Sequence, residues 1–427
     1  MAGLAERVER RIRKPCRLGD VELPKDFVLP SYSGHGLVNV SPTVLSHFGV
    51  STPTPVLSKE AIGNYLDGSR QVVVILLDAC GYLLLQRILK KKPGHPLNAL
   101  IHGGRMTPTT SVFPSTTAVA LSTLHTGVAP VSHGITGYRM YLPDQGVLAN
   151  MIRLSPEADE RPRCLIREFE GAKRLIGVET IHEQLAAARV QSYTLLRKDI
   201  AWSGLSEMHC TGASVIPFVG APDMFVTIRR LLQETRPLRK AIWAYWDALD
   251  TIQHQYGVWQ EEGEAELWAF ASAMKRELLD PLKKVKTDTT LIFTSDHGQV
   301  QVTRNDIFQI KTVPGTDNAL RVPPSGTSRA GYLNTVDEEW VEVLRKKLFS
   351  KGWVLPTPNL VAQGLWGNGE PKSEFRGRVG DYVFVMQDRR LSFYPYYSGA
   401  SPEHHLGGRH GGLHEEEMLT PFIIRRV

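Results

Sequence analysis

The sequence predicts an α/β protein: a mostly parallel β-sheet sandwiched by helices, with a smaller inserted cap subdomain. Three observations predict it. Apolar runs of strand length, such as Val72-Val73-Val74-Ile75-Leu76-Leu77, are continuous rather than alternating, as in strands buried on both faces. These runs alternate with helical stretches, the pattern of a parallel sheet covered on both sides. Asp78, Asp247, Asp296 and His297 stand directly after such runs, where the carboxyl ends of parallel strands open onto ligands.

Residues 1–70 read as an irregular lead-in punctuated by Pro24, Pro30, Pro42, Pro53 and Pro55, with a short helix near Lys59 to Tyr65. Arg7, Arg10, Arg11, Arg13 and Lys14 fit a solvated helical face rather than a nucleic-acid site. The core then begins with strand Val72–Leu77, a turn at Asp78-Ala79-Cys80-Gly81, and a helix over Leu83–Lys91. Next comes Phe113-Pro114-Ser115-Thr116-Thr117, a hydroxyl-dense turn, followed by a helix of small and apolar residues over Ala118–His125 that ends at Thr126-Gly127. A hydroxyl in the first turn of a helix faces unpaired N–H groups and the positive end of the dipole, which favour an alkoxide or a phosphate. Ser and Thr are also the usual N-cap residues, and this segment by itself favours the cap.

The alternation continues with helix Glu179–Arg189, strand Val190–Leu196, strand Val215–Val219, helix Met224–Glu234 and strand Lys240–Trp246. Helix Glu262–Val285 and strand Thr290–Thr294 close it, ending at Asp296-His297-Gly298. The core is therefore expected over 71–297 and 400–427, with 298–399 as the cap. Prolines and glycines punctuate that cap, which holds a helix near Glu338–Phe349 and a strand near Tyr382–Met386.

Bulk properties set limits. At 427 residues the chain suits one large α/β domain with an insertion, or two domains. The net charge of +6 is a mild excess spread along the sequence, so no stable nucleic-acid partner is expected. Cys16, Cys80, Cys164 and Cys210 form no C-x-x-C pair, which argues against a disulfide framework and a cysteine zinc cluster. No apolar run approaches the roughly 20 residues needed to span a bilayer, and the N-terminus lacks a secretion-signal core, so a cytoplasmic location is expected.

Four separated places offer oxygen or nitrogen ligands: Asp78; Asp250 with His254; Asp296 with His297; and the C-terminal R-H-G-G-L-H segment with His410 and His414. Alone, each fits a helix cap, a surface pair or a glycine-flanked turn. Together, at strand ends of one sheet, they are the residue types of a metal pair bridged by substrate.

The order Asp, Thr, Asp-x-x-x-His, Asp-His, His-Gly resembles the alkaline phosphatase superfamily, and more closely its branch of type I phosphodiesterases and nucleotide pyrophosphatases. The resemblance covers about residues 70–427. It implies an alkaline-phosphatase-like core, two divalent metal ions with zinc first among them, and a covalent phospho-enzyme on Thr or Ser. Asp78, Asp296 and His297 would hold the ion that also binds the nucleophile; Asp250, His254 and a C-terminal His would hold the other.

Ser115, Thr116 and Thr117 are all candidate nucleophiles. The family's spacing of ten positions before the helix-closing glycine selects Thr117, with Thr116 second. The same register shows no sulfatase-type C-x-P-x-R. His410 sits at the family's His-Gly ligand, with His414 as alternative. Tyr138 stands where the family usually carries an Asn that holds a phosphate oxygen, so Tyr138, or Arg139 beside it, would take that task.

The implied activity is metal-dependent hydrolysis of phosphodiester or pyrophosphate bonds in a small phosphate ester or nucleotide, through a phospho-threonine. A phosphomonoesterase or phosphonate hydrolase on the same core, and a non-catalytic binding protein retaining the fold, are the alternatives.

Overall fold

The computed structural model describes residues 3–159, 161–167, 171–234, 239–285, 287–369, 371, 373–402 and 406–427. Its centre is a seven-stranded sheet in the order Arg105–Thr110, Leu419–Arg426, Thr289–Thr294, Gln71–Leu77, Lys240–Trp246, Gln191–Arg197, Ser214–Phe218. The last five run parallel in register, Val72 opposite both Ala241 and Thr290. The one reversed strand is Leu419–Arg426, antiparallel to both of its neighbours.

The continuous apolar runs have the predicted cause. All seven residues of Gln71–Leu77 are buried. Val72, Val74 and Leu76 face one core together with Ala118, Leu121 and Leu124 of helix Thr117–Thr126. Val73, Ile75 and Leu77 face the other, against the helices Tyr82–Lys91, Ala221–Gln233 and Glu261–Met274. Alternate residues of one strand thus serve two helical layers.

Several elements depart from the sequence reading. The long helix expected over Glu262–Val285 is α-helical only to Met274, then widens to a π-turn over Lys275–Leu279. The lead-in is more ordered than its prolines suggested. It holds helices Leu4–Ile12 and Val40–His47, and Leu37, Val40, Val44, Leu45 and Phe48 enter the first core.

A second seven-stranded sheet, antiparallel throughout, runs in the order Gly352–Pro356, Tyr382–Met386, Ala330–Leu333, Ser325–Gly326, Arg139–Leu142, Val147–Asn150, Ser155–Pro156. Part of the segment expected as a cap therefore shares a sheet with strands from 139–156, inside the expected core. Gly326 makes the junction, paired with Arg139 at φ +90°. A side chain there would meet Gly331 Cα at 2.7 Å, so only glycine lets the strands close. Among the described residues no helix is long and apolar enough to cross a membrane.

Candidate metal centre and active site

Strand ends bring the predicted residues together. Asp78 follows strand Gln71–Leu77, and its N–H donates to the Trp246 carbonyl at 2.9 Å, tying two strand ends side by side. Asp296 and His297 follow Thr289–Thr294. Asp296 Oδ1 accepts from Ala79 N at 3.2 Å and from His297 N at 2.9 Å. Ala79 takes a left-handed φ of +59° to present that N–H. Asp78, Asp296 and His297 are at most 2% exposed and offer ligand atoms within 4.8 Å of one another.

A second group, Asp250, His297 and His410, meets the same criterion and shares His297 with the first. Asp250 and His254 lie four apart on helix Ala248–Tyr256, with His254 Nε2 3.4 Å from Asp250 Oδ1. His410 Nε2 is 3.8 Å from the same oxygen, and its ring stacks on His297 with centroids 3.8 Å apart.

The imidazoles are oriented for coordination. His297 Nδ1 donates to the Gly298 carbonyl at 3.1 Å, and His410 Nδ1 to the Ser115 carbonyl at 3.0 Å. His254 Nδ1 lies 2.8 Å from the Gly408 carbonyl. His297 and His410 thereby leave Nε2 as the lone pair turned into the cluster, whereas His254 Nδ1 also meets the Arg409 guanidinium at 2.7 Å.

These acceptors fit a cation. Asp78 Oδ1 and Asp296 Oδ2 are buried with no hydrogen-bond partner, and His297 Nε2 is 3.5 Å and 3.2 Å from them. Burial first, then the charges of Asp296 and Asp250, push the Asp78 carboxyl well above the usual range. Burial likewise raises Asp250 and Asp296. Burial lowers His297 to about 4, and His254 and His410 to about 3, so all three are neutral near pH 7. Clustered carboxylates beside neutral imidazoles are the donor chemistry of a divalent-ion site; the cation at their edge is Arg409, beside His254 and within the field of Asp250.

Of the three hydroxyls, that of Thr117 makes a contact with this cluster, while Thr116 lines the same cavity. Ser115 Oγ is fully buried and donates to the Gly412 carbonyl at 2.8 Å. Thr116 occupies the N-cap position of helix Thr117–Thr126, yet its side chain caps nothing. Thr117 Oγ1 lies 3.1 Å from His297 Nε2. His414 is placed elsewhere: its Nε2 pairs with Asp26 at 3.3 Å and its Nδ1 caps the short helix Glu415–Met418.

The cluster opens into a cavity of about 640 Å³ whose lining includes Asp78, Thr117, Asp250, His254 and His410. Tyr138 and Arg139 line the same cavity. The Tyr138 oxygen accepts from Asn150 Nδ2 at 2.7 Å, which leaves its own O–H to donate. Arg139 pairs with Glu157 at 2.8 Å and lies over the Tyr396 ring at 4.2 Å.

Sequence reasoning missed the residues that hold these in place. The Tyr245 hydroxyl donates to Asp78 Oδ2, and Gln299 Nε2 donates to Asp250 Oδ1 at 2.5 Å. Gln299 carried a faint signal in its place two residues after His297; Tyr245 carried only its position near a strand end. The Arg329–Glu417 pair, fully buried at 2.7 Å, carried none. Glu417 also accepts from Gly412 N at 2.9 Å, so Arg329 anchors the loop that carries His410.

A parallel-stranded core with an aspartate and histidine cluster at its carboxyl edge, and a threonine hydroxyl aimed at it, defines a phosphoric ester hydrolase of the alkaline phosphatase-like fold. The family model for type I phosphodiesterase / nucleotide pyrophosphatase matches residues 72–413, and the chain belongs to that family. No curated protein matches it significantly.

Among solved structures, murine ectonucleotide pyrophosphatase/phosphodiesterase 5 superposes with a TM-score of 0.63 at 17% identity, over 83% of this chain and 88% of that one. An inactive threonine-to-alanine form of the murine protein, in complex with AMP, gives 0.61 at 16%, over 83% and 87%. The human counterpart gives the same values: 0.61, 16%, 83% and 87%. At these identities the likeness is one of fold.

Proposed function

We propose that this chain hydrolyses phosphodiester or pyrophosphate bonds of a nucleotide or similar small ester through a covalent phospho-threonine on Thr117. The observation that carries this reading is Thr117 Oγ1 at 3.1 Å from His297 Nε2, at the lip of the buried acid cluster. The AMP complex of an inactivated threonine variant in a protein of like fold supports it.

Asp78, Asp296 and His297 would hold one divalent ion, and Asp250, His254 and His410 the other. When bound, such ions neutralise the phosphoryl oxygens, favour the alkoxide of a nearby hydroxyl and stabilise a leaving oxygen. Zinc is the first candidate; the carboxylate and imidazole set also suits manganese or iron, and availability decides.

The chain's own residues supply the rest. Thr117, in the first turn of its helix, places its oxygen where the dipole favours negative charge. That oxygen forms the bond to phosphorus as the bond to the leaving oxygen breaks. The threonine proton leaves with the departing alcohol or phosphate; water then attacks the same phosphorus, breaks its bond to the threonine oxygen, and releases a phosphate monoester that keeps the remaining organic group, restoring the hydroxyl. Tyr138, its oxygen already satisfied by Asn150, donates its O–H to a non-bridging phosphoryl oxygen. The stacked and paired Arg139 lends that side of the cavity a positive charge.

Metal analysis of the purified chain, with rates on para-nitrophenyl phosphate, bis(para-nitrophenyl) phosphate, para-nitrophenyl phenylphosphonate and ATP, tests this reading. The diester and ATP should be the better substrates. Turnover of the monoester or the phosphonate alone, or no turnover with both ions bound, would refute it.

A further inference from the structure

The cavity does not end at the acid cluster. It continues along one face of helix Thr117–Thr126, where Thr117, Leu121 and His125 follow at four-residue spacing and all line it. Eight residues of helical rise put His125 about 12 Å beyond the threonine. Ile152, Leu196, Ile200 and Leu205 also line the cavity and give this arm apolar walls. His125, His209 and Cys210 form its floor. The reaction described above uses none of them.

The floor is an ordered histidine network. The rings of His125 and His209 stack, centroids 5.0 Å apart and 9° from parallel. The Ser122 hydroxyl donates to the Ala118 carbonyl at 2.7 Å, so at 2.9 Å it accepts from His209 Nε2. Nδ1 of a neutral His209 is then a bare acceptor.

His125 Nδ1 shares a proton with His182 Nε2 at 3.0 Å, and His182 Nδ1 meets the Ser192 hydroxyl at 2.6 Å. A hydroxyl donates or accepts, so the outer nitrogen of His125 takes either role as this chain of bonds reverses. Among the described residues neither His125 Nε2 nor His209 Nδ1 has a hydrogen-bond partner, and neither is sealed from solvent. Both open onto the cavity. Burial lowers His125 to about 4 and His209 well below the ordinary histidine range, and raises the Cys210 thiol to about 12. The floor is uncharged near pH 7.

We infer that this arm is a specificity subsite for the organic group of the substrate: an apolar stem ending in an uncharged group that both donates and accepts hydrogen bonds, read by His125 and His209. The inference rests on the hydrolase reading. An anionic end is disfavoured because it would be desolvated against neutral imidazoles, and Arg139, which lines the same cavity, is already paired with Glu157. A purely apolar end leaves both ring nitrogens unpaired, and sites built to hydrogen-bond a group reject the analogue that lacks it.

The test uses the full-length, metal-replete chain and three diesters that share a para-nitrophenyl leaving group. The second aryl group is para-carbamoylphenyl, phenyl or para-carboxyphenyl. The carbamoyl ester should exceed the phenyl ester in kcat/KM by about tenfold, and the carboxy ester should fall at least about tenfold below phenyl. His125→Leu and His209→Leu, made singly, should bring the carbamoyl-to-phenyl ratio close to one. Equal rates on all three esters in the unmodified chain, or a preference that survives in folded variants, overturns the inference. The unmodified series decides by itself should a variant not fold. Hydrolysis of none of the three would instead sink the hydrolase reading, and the subsite with it.

Discussion

Replacing Thr117 with alanine separates chemistry from architecture. The hydroxyl lies 3.1 Å from His297 Nε2, so the folded state loses one hydrogen bond, worth about 1 kcal/mol. Alanine is the better helix former in the first turn and returns a few tenths of that. For a chain of 427 residues the melting temperature should therefore move by no more than about 2 °C. Asp78, Asp296 and His297 are untouched, so the metal content should stay at the parent value. Turnover of bis(para-nitrophenyl) phosphate, by contrast, should fall at least about ten-thousandfold, or about 5.4 kcal/mol at 1.36 kcal/mol per decade. Thr117→Ser keeps the oxygen and should stay within about tenfold of the parent. The assay is para-nitrophenolate release beside plasma emission analysis of the same preparation. Near-parental turnover in Thr117→Ala would show that another group attacks phosphorus, and loss of metal in that variant would show that the threonine is structural.

Asp296→Asn keeps the hydrogen bonds that Oδ1 accepts but removes a buried charge from the acid cluster; zinc affinity should drop about a hundredfold by competition titration, with the metal-free protein no less stable. Gly411 has φ +118°, and a Cβ there would lie 2.2 Å from Thr327 Oγ1, so Gly411→Ala should displace His410 and leave about one ion per chain by metal analysis. Arg329→Met strands Glu417 in the interior and should cost about 3–5 kcal/mol in urea unfolding, while Arg329→Met with Glu417→Leu should cost much less. Burial raises the Glu417 carboxyl, but the Arg329 guanidinium and the Gly412 N–H outweigh it and hold it below the usual glutamate value. Its contribution is therefore full above the unfolded glutamate pKa, about 4.3, and is lost as pH falls through the lower folded value; Glu417→Gln should remove that part of the acid transition followed by circular dichroism.

The core and the places of most candidate ligands were legible in the sequence from strand ends and helical spacing, while their roles came from the family resemblance. The central strands are buried on both faces, so they read as unbroken β-branched runs, and the residue that ends each run is a strand-end residue wherever the sheet is placed. Asp78, Asp296 and His297 follow from that rule, and Asp250 with His254 from their four-residue spacing.

The strands Arg105–Thr110 and Leu419–Arg426 were not legible, because each carries a proline, Pro108 and Pro421, that argues against a sheet interior. The register resolves the conflict. Pro421 stands opposite Pro108, and pairing with Thr289–Thr294 stops at Phe422, so neither proline interrupts a ladder shared by two neighbours.

What the sequence determined by itself was local: which segments are strands or helices, which residues stand at their ends, and which residue types could hold cations and attack phosphorus. Only the tertiary structure showed the Thr117 hydroxyl in contact with the cluster, His414 drawn away to Asp26, and His209 stacked on His125 of the helix that carries Thr117. Those choices depend on contacts between segments up to some three hundred positions apart, such as Ser115 with Gly412 and Arg329 with Glu417. A hydrogen bond of that kind leaves no periodicity in either partner's sequence, since the geometry that makes it exists only after the sheets have packed.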